Sequence, residues 1–416
     1  MIKLLIGGSP CTYWSIAQKN NRETEPSGMG WELFKNYLIA MEKFAPDFFL
    51  YENNKSADEA IKREIRKQFG VWDCPLFCED TSVRYIEINS ALVSAQNRER
   101  FYVHNCGEVG QPEDRGILLK DILGSGQSWT AKSYVVTTRE GGAIPEDTLK
   151  RKRYTMVAEP VCVNSKIDGV QPSLQDRIYS PDGKSTAVTA SYMPKIIEPV
   201  RVGDMGSNAQ GHRIYSIDGK SVCINAGGGG MGAKTGLYAI PVYYGAEAVE
   251  FDEDGKPTKA RSYADGKIYT VYEVRDGKIT IKGKKYPIKL ADGFYIIRKL
   301  TVKECCRLQT LPDDYCRAVS NAQAYKGLGN GWTAEVIIHI LSHALKDIPR
   351  DEKILVLSMY DGIGTGRYCL DKMGFTNVEY HAYEIDKYAM QIAMSNYPDI
   401  IQHGDAFAVR EQEWTL

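Results

Sequence analysis

The order of apolar runs and turns predicts an α/β fold: a mostly parallel, Rossmann-like sheet interrupted by a β-rich insert. Three observations carry this. Strand and helix patterns alternate towards both ends of the chain. The run Val356-Leu357-Ser358-Met359 leads into the glycine turn Tyr360-Asp361-Gly362-Ile363-Gly364-Thr365-Gly366, which opens a helix. Between the two α/β stretches, Asp-Gly-Lys recurs at Asp182, Asp218, Asp254, Asp265 and Asp276. Alternating strands and helices need crossovers, which place helices on both faces of a parallel sheet. Asp-Gly is a strong hairpin-turn signal.

The elements follow in order. Leu4-Leu5-Ile6 reads as a strand that ends in Gly7-Gly8-Ser9-Pro10-Cys11, a turn presenting a thiol. Apolar residues recur at helical spacing from Trp31 to Phe44, and Pro46 stops that helix before the strand Phe48–Tyr51. Glu52-Asn53-Asn54 therefore sits at a strand's carboxyl end. Ser56 with Glu59 has the spacing of a capping box, which predicts a helix to about Phe69. Tyr85–Ile88 and Phe101–Val103 read as strands.

Beyond Leu119 helical periodicity fades. The unit Arg177–Ser185 recurs as Arg213–Ser221, which predicts a pair of related hairpins. Helical pattern returns at Leu300, where Thr301 and Glu304 have capping-box spacing, and again over Glu335–Leu345. Lys353–Ser358, Val378–Tyr383 and Asp399–Gln402 then read as strands, with helices over Arg367–Lys372 and Lys387–Asn396. The expected domains are 1–118 and 294–416, two parts of one α/β domain, and 119–293, the β-rich insert.

A chain of 416 residues with 43% hydrophobic and 25% charged residues has the composition of an ordinary globular protein. The apolar run before Gly7 is too short for a signal peptide, and no run approaches transmembrane length, so the expected location is cytoplasmic. The ten cysteines contain no Cys-x-x-Cys pair, so no metal site is expected and most should be small buried hydrophobes. Net charge is −1, yet Leu119–Leu300 holds 27 Lys and Arg against 20 Asp and Glu, which leaves 25 against 33 elsewhere. A basic centre on an acidic body suits a segment that meets phosphates.

Several residues carry chemistry. A glycine turn after a strand lets backbone approach a nucleoside cofactor closely. Glu384 ends the next strand, about 20 residues on, where an acid can accept from ribose hydroxyls. Asp405, after the strand beyond it, is placed to accept from an adenine amino group. Gln96-Asn97-Arg98-Glu99-Arg100 puts two guanidiniums on one side of an extended segment, as donors for a base oxygen and a phosphate or as ordinary strand-edge arginines.

These motifs resemble those of the cytosine-C5 DNA methyltransferases. Gly7–Cys11 with Ser15 is similar to the nucleophile motif, and Glu52-Asn53-Asn54 to Glu-Asn-Val, with Asn54 a departure. Gln96, Arg98 and Arg100 match Gln-x-Arg-x-Arg; Leu300–Gln309 with Leu311-Pro312 resembles the helix that supports the recognition domain; and Gly329-Asn330-Gly331-Trp332 resembles the last motif, part of the cofactor pocket. The wording is closest to animal de novo enzymes and is shared by phage and bacterial members. In that family the cofactor motifs usually come first, and here they come last, so the resemblance implies a circular permutation. Lys346–Glu352 would join the former ends, and the new termini would fall at a surface connection.

The resemblance implies S-adenosylmethionine as cofactor, with Tyr360, Asp361, Gly362, Gly364, Glu384, Asp405, Asn330 and Trp332 around it. Cys11 would add to C6 of a flipped-out cytosine, making C5 nucleophilic; Glu52 would serve N3 as the acid; and Arg98 and Arg100 would complete the catalytic set. Ser9, Pro10, Ser15, Gln96, Gly228 and Gly229 are the expected DNA contacts. The loop Gly227–Gly232 reads equally as a groove-approaching turn or a flexible linker, and Lys282, Lys284, Lys285 and Lys289 as phosphate contacts or hairpin decoration. Ser15–Gly30 suits a loop that closes over the base. The expected partners are double-stranded DNA and, for a member of a restriction–modification pair, a cognate restriction endonuclease. A monomer with no membrane contact is expected.

A tRNA cytosine methyltransferase and a silent DNA-binding regulator are the alternatives. The β-rich centre favours DNA over tRNA, and a binder has no need of the thiol. A thymidylate-synthase-like enzyme would leave the glycine turn and Glu384 unexplained.

Overall fold

The computed structural model describes residues 1–15, 22–71, 82–122, 157–162, 201–204, 213–216, 237–239, 246–281, 283–287, 292–298 and 300–416. In chain order its strands are β1 (Ile2–Gly7), β2 (Phe48–Asn54), β3 (Arg84–Asn89), β4 (Glu99–His104), β5 (Val157–Cys162), β6 (Arg201–Asp204), β7 (Arg213–Ser216), β8 (Leu237–Ala239), β9 (Ala246–Phe251), β10 (Pro257–Ser262), β11 (Ile268–Arg275), β12 (Lys278–Ile281), β13 (Lys284–Pro287), β14 (Gly293–Arg298), β15 (Ile354–Met359), β16 (Val378–Tyr383) and β17 (Ile401–Gln402). The helices are α1 (Gly28–Phe44), α2 (Glu59–Gln68), α3 (Val302–Leu308), α4 (Asn321–Asn330), α5 (Ala334–Leu345), α6 (Thr365–Lys372) and α7 (Lys387–Asn396).

Strands from both ends of the chain form one seven-stranded sheet in the order β17-β16-β15-β1-β2-β4-β3. The pairings from β17 to β2 are parallel, while β4 runs antiparallel to β2 and β3, so the sheet is mixed with a mostly parallel centre. Every residue of β15 is buried, as a central parallel strand covered on both faces requires. Successive side chains alternate between faces. Leu4, Ile6, Leu50 and Val356 enter the core beneath α3–α7, whereas Leu5, Phe49, Tyr51, Leu355 and Leu357 enter the aromatic core beneath α1 and α2.

Strand order reverses at β15 and β1, which lie side by side in register from Ile2 opposite Ile354 to Gly7 opposite Met359. In open α/β sheets that switch point leaves a crevice outside the strands' carboxyl ends, where ligands bind.

The Thr301–Glu304 capping box forms as predicted: the Thr301 hydroxyl accepts from the Glu304 N–H at 3.2 Å, and Glu304 accepts from the Thr301 N–H at 2.7 Å. The Ser56–Glu59 box does not. Asp58 caps α2 instead, accepting from the Ala60 N–H at 3.1 Å, so the helix starts one residue past an Asp that the Ser56 pattern overlooked.

Strands β5–β14 make a second sheet, with β14 pairing both β11 and β5. The boundary expected at residue 293 therefore moves, because β14 belongs to the second sheet as far as Arg298. Three Asp-Gly-Lys sites turn hairpins, with Gly255, Gly266 and the Asp276-Gly277 pair at positive φ. The first copy of the duplicated unit and the Gly227–Gly232 loop lie outside the described residues. No described helix is long and apolar enough to cross a membrane.

Candidate active site

A cleft with about 940 Å³ of empty space, counted out into the solvent at its mouth, occupies the switch point. Its walls come from the turn after β1 (Gly8, Ser9, Pro10, Thr12), from Glu52 on β2, from Arg98 and Arg100 at β4, from the end of α4 through Trp332, and from the glycine turn and Glu384.

Cys11 opens a 3₁₀ turn directly after this wall, between the lining residues Pro10 and Thr12. The turn is held from below. The Ser9 hydroxyl pairs with the Tyr51 hydroxyl at 2.8 Å, and the Asn53 amide donates to the Ser9 carbonyl at 2.9 Å. A Cβ on Gly8 would sit 2.2 Å from the Glu52 carbonyl oxygen, so this position demands glycine. The same contact sets the Pro-Cys turn against the strand carrying Glu52. Ser9 thus serves as much to fix the turn as to line the cleft.

Glu52 is 9% exposed and doubly held: Arg100 Nε lies 3.0 Å from Oε1, and Trp332 Nε1 donates to Oε2 at 3.1 Å. Trp332 was expected only at the cofactor and is also a partner of the carboxylate. Arg98 is 2% exposed, and its Nη1 and Nη2 donate to the carbonyls of Gly329 and Gly331 at 3.3 and 2.8 Å. Those bonds hold the loop that presents Asn330 and Trp332, and Arg98 lines the cleft beside them. Gln96 is fully buried with both amide atoms unpartnered, a placement that exposes no atom for the direct DNA contact expected of it.

On the other wall, Tyr360 adopts φ 62°, a left-handed conformation unusual for a bulky residue, and its hydroxyl donates to the Leu33 carbonyl at 2.7 Å. Gly362 and Gly364 follow at φ 65° and 78°. Glu384 Oε2 accepts from the Gly362 N–H at 2.8 Å, and Oε1 accepts from the N–H groups of Ile385 and Asp386 at 2.8 Å each. Asp361 Oδ1 accepts from Ser358 and Tyr380 at 2.7 Å each, while Oδ2 is shut off from solvent and unpartnered. The residue keeps some exposure on its cleft side, but enclosure of the carboxyl itself governs its titration. Burial, opposed by those two hydrogen bonds and reinforced by the nearby Glu384 charge, pushes it up to about 6.

Asp405 is exposed, caps the following 3₁₀ turn through the Phe407 N–H at 2.9 Å, and is not among the cleft-lining residues. That placement does not fit the adenine contact expected of it. Ser15 is buried and also off the cleft wall, and Gly228 and Gly229 lie outside the described residues. Sequence reasoning missed Thr12, and missed Lys326 of α4, which pairs with Asp386 at the rim. Asp386 was findable as the residue capping α7; nothing in the pattern marks Lys326.

A cleft at the switch point of a mostly parallel sheet, with a Pro-Cys turn on one side and a glycine turn answered by a strand-end acid on the other, has the architecture of a group-transfer enzyme. The model of the C-5 cytosine-specific DNA methylases matches residues 1–108 and 242–346, just over half of the chain, and the chain belongs to that family. It is a DNA cytosine methyltransferase.

The chain is similar to the orphan methyltransferase M.SPRI of Bacillus phage SPR, 24% identical over 391 residues and 82% of each chain. It is also similar to the type II methyltransferase M.HhaI of Haemophilus parahaemolyticus, 28% identical over 149 residues, 36% of this chain and 28% of that one. A crystal structure of a Spodoptera frugiperda DNMT2 mutant matches 82% of this chain and 79% of that one at 13% identity and a TM-score of 0.35.

Proposed function

We propose that this methyltransferase moves a methyl group from S-adenosylmethionine to C5 of a cytosine flipped out of a specific duplex sequence, through a covalent bond between Cys11 and C6. The observation that carries this reading is that the Cys11 turn, Glu52 and the Glu384-answered glycine turn border one cleft.

The cofactor wall suits that donor. The space where a Cβ of Gly362 would point is empty, which leaves room for a ligand against the backbone. Glu384 offers a carboxylate to ribose hydroxyls, and Asp361 adds a second acidic residue to the cleft wall. When bound, S-adenosylmethionine supplies an electrophilic methyl group.

The residues of the chain do the rest. The Cys11 thiolate forms a bond to C6, and the displaced ring electrons are taken up at N3 with a proton from the Glu52 carboxyl. Arg100 and Trp332 hold that carboxyl in one orientation. After C5 is methylated its proton passes to water, N3 returns its proton to the Glu52 carboxylate, the C5–C6 double bond re-forms and the sulfur–C6 bond breaks, returning the Cys11 thiolate. Extruding the base costs a few kcal/mol, which grip by a second domain offsets. The β-rich segment from residue 119 to Arg298 is assigned that target-recognition role, and the motif order is assigned to a circular permutation.

Duplex DNA carrying 5-fluorocytosine tests the chemistry, because fluorine cannot leave C5 as a proton does. A denaturing-gel-stable protein–DNA complex is expected only with cofactor present. Cys11→Ala should abolish it while cofactor binding persists, and Glu52→Gln should slow its formation. Trapping by the Cys11→Ala protein would falsify the assignment.

A further inference from the structure

We infer that Arg22, Glu23 and Asn54 form a polar bridge that registers the Cys11 turn against Glu52, making them positioning residues for the covalent step. The inference rests on the assignment of Cys11 and Glu52 above.

The bridge starts at the nucleophile turn. The Glu23 N–H donates to the Tyr13 carbonyl at 2.8 Å, and Arg22 Nε donates to the Trp14 carbonyl at 3.3 Å. These are the second and third residues after Cys11. The Glu23 carboxylate accepts from Trp14 Nε1 at 3.1 Å and from the Gly30 N–H at 3.1 and 3.3 Å. Trp14 is fully buried, so its indole N–H needs this acceptor. Two glycines make room for it: a Cβ on Gly28, at φ 81°, would lie 2.4 Å from Glu23 Oε1, and one on Gly30 would lie 2.6 Å from Oε2. Larger residues at either position would expel the carboxylate.

Arg22 then reaches across. Its Nη2 donates to the Ser56 carbonyl at 2.9 Å, just past the end of β2. The Ser56 N–H donates to Asn54 Oδ1 at 3.1 Å, and that oxygen also accepts from Arg100 Nη1 at 3.3 Å. Arg100 holds Glu52 Oε1 at 3.0 Å. A continuous path therefore runs from the Cys11 turn through Arg22, Ser56, Asn54 and Arg100 to the carboxyl. Asn54 is the residue that departs from the Glu-Asn-Val pattern, and valine there would have no acceptor for Arg100 or Ser56. Sulfur attack and proton delivery act on atoms of one ring, so the spacing of the two groups bears directly on the rate, and small misplacements are costly.

The test is single-turnover trapping on 5-fluorocytosine duplex at saturating cofactor and DNA, with cofactor affinity and thermal midpoint measured alongside. Arg22→Ala, Glu23→Gln and Asn54→Val should each slow trapping about ten- to a hundredfold with cofactor affinity within about twofold of the parent. Asn54→Asp, which keeps the acceptor, should restore most of the rate. Arg22→Ala with Asn54→Val should be no slower than the slower single variant, because both break one path. Parent-rate trapping by the single variants, or fully additive losses, overturns the bridge; so does slowing matched by equal loss of cofactor affinity and stability. A parent that methylates DNA without trapping instead overturns the Cys11 assignment, and the two failures are distinguished by which protein shows them.

Discussion

Asp361 places a carboxyl where folding would avoid one. In the unfolded chain it ionises near its ordinary 3.8, and in the folded protein burial raises that to about 6. Over that interval the folded state holds a proton that the unfolded state has lost, so stability falls as pH rises from about 4 to about 6. Above pH 6 the full cost remains, about 3 kcal/mol. Asp361→Asn removes the charge and keeps one oxygen acceptor for Ser358 or Tyr380. Its thermal midpoint should exceed the parent's near pH 7.5, by the equivalent of about 1–2 kcal/mol once the altered hydrogen bonds are counted, and the gain should shrink near pH 5. Calorimetric melts at the two pH values check this, and an equal gain at both would show that the carboxyl does not titrate there. Cofactor binding should weaken in the same variant, the trade expected when a destabilising group is kept for function.

At the scale of elements, α3 holds the site from outside. Gln309, directly after α3, donates its amide to the Leu328 carbonyl at 2.6 Å and accepts from the Thr333 hydroxyl at 2.8 Å, which fixes the segment presenting Asn330 and Trp332. Thr301→Ala removes one bond of the capping box and should cost about 1 kcal/mol, read as a lower urea midpoint at unchanged slope. Cofactor affinity should stay near the parent value because Gln309 is untouched. Elements with strong periodicity or a clear stop were legible in the sequence: β16 and α7 match residue for residue, and α1 extends the expected Trp31–Phe44 pattern by three residues. The strand ends carrying Glu52, Tyr360 and Glu384 were legible too, because a residue's place at a strand end follows from local pattern. What local pattern cannot carry is who answers whom across the sheet. Arg98 binding glycine carbonyls from the last motif, Trp332 reaching Glu52, and Asn54 serving Arg100 all join residues distant in sequence or on different strands. Asp405 failed for a related reason, since β17 is only two residues long and its loop turns the carboxylate to its own backbone.

For the whole molecule, the permutation is a claim about which chain breaks the fold tolerates. The β1 end of the chain lies against the segment entering β15: Ile2 N–H donates to the Lys353 carbonyl at 2.8 Å, and the Met1 ammonium pairs with Glu352. The last residues reach the same region along α1. Lys43 Nζ bonds the Glu411 carbonyl at 2.6 Å and lies 5.9 Å from the Trp414 ring, while Lys3 Nζ donates to the Phe44 carbonyl at 3.0 Å. Neighbouring residues of α1 thus touch both ends, and a short Gly/Ser linker from Leu416 to Met1 has little distance to cover. The connection 346–352 is surface-facing, with Lys346, Asp347, Pro349, Arg350 and Asp351 exposed or nearly so. A protein recut within that connection and joined through the linker would place the cofactor motifs first. Cut between Lys346 and Asp347, it should fold to the same sheet and methylate the same DNA sequence, because that cut spares the Arg350 and Asp351 carbonyls that accept from Thr376 and Asn377 and gives up the exposed Met1–Glu352 ion pair, worth about 0–1 kcal/mol. Circular dichroism melting and sequencing of methylated bases read the two halves of that expectation. A recut chain that fails to fold, or folds and loses methylation, would mean that 346–352 does more than join two neighbouring ends.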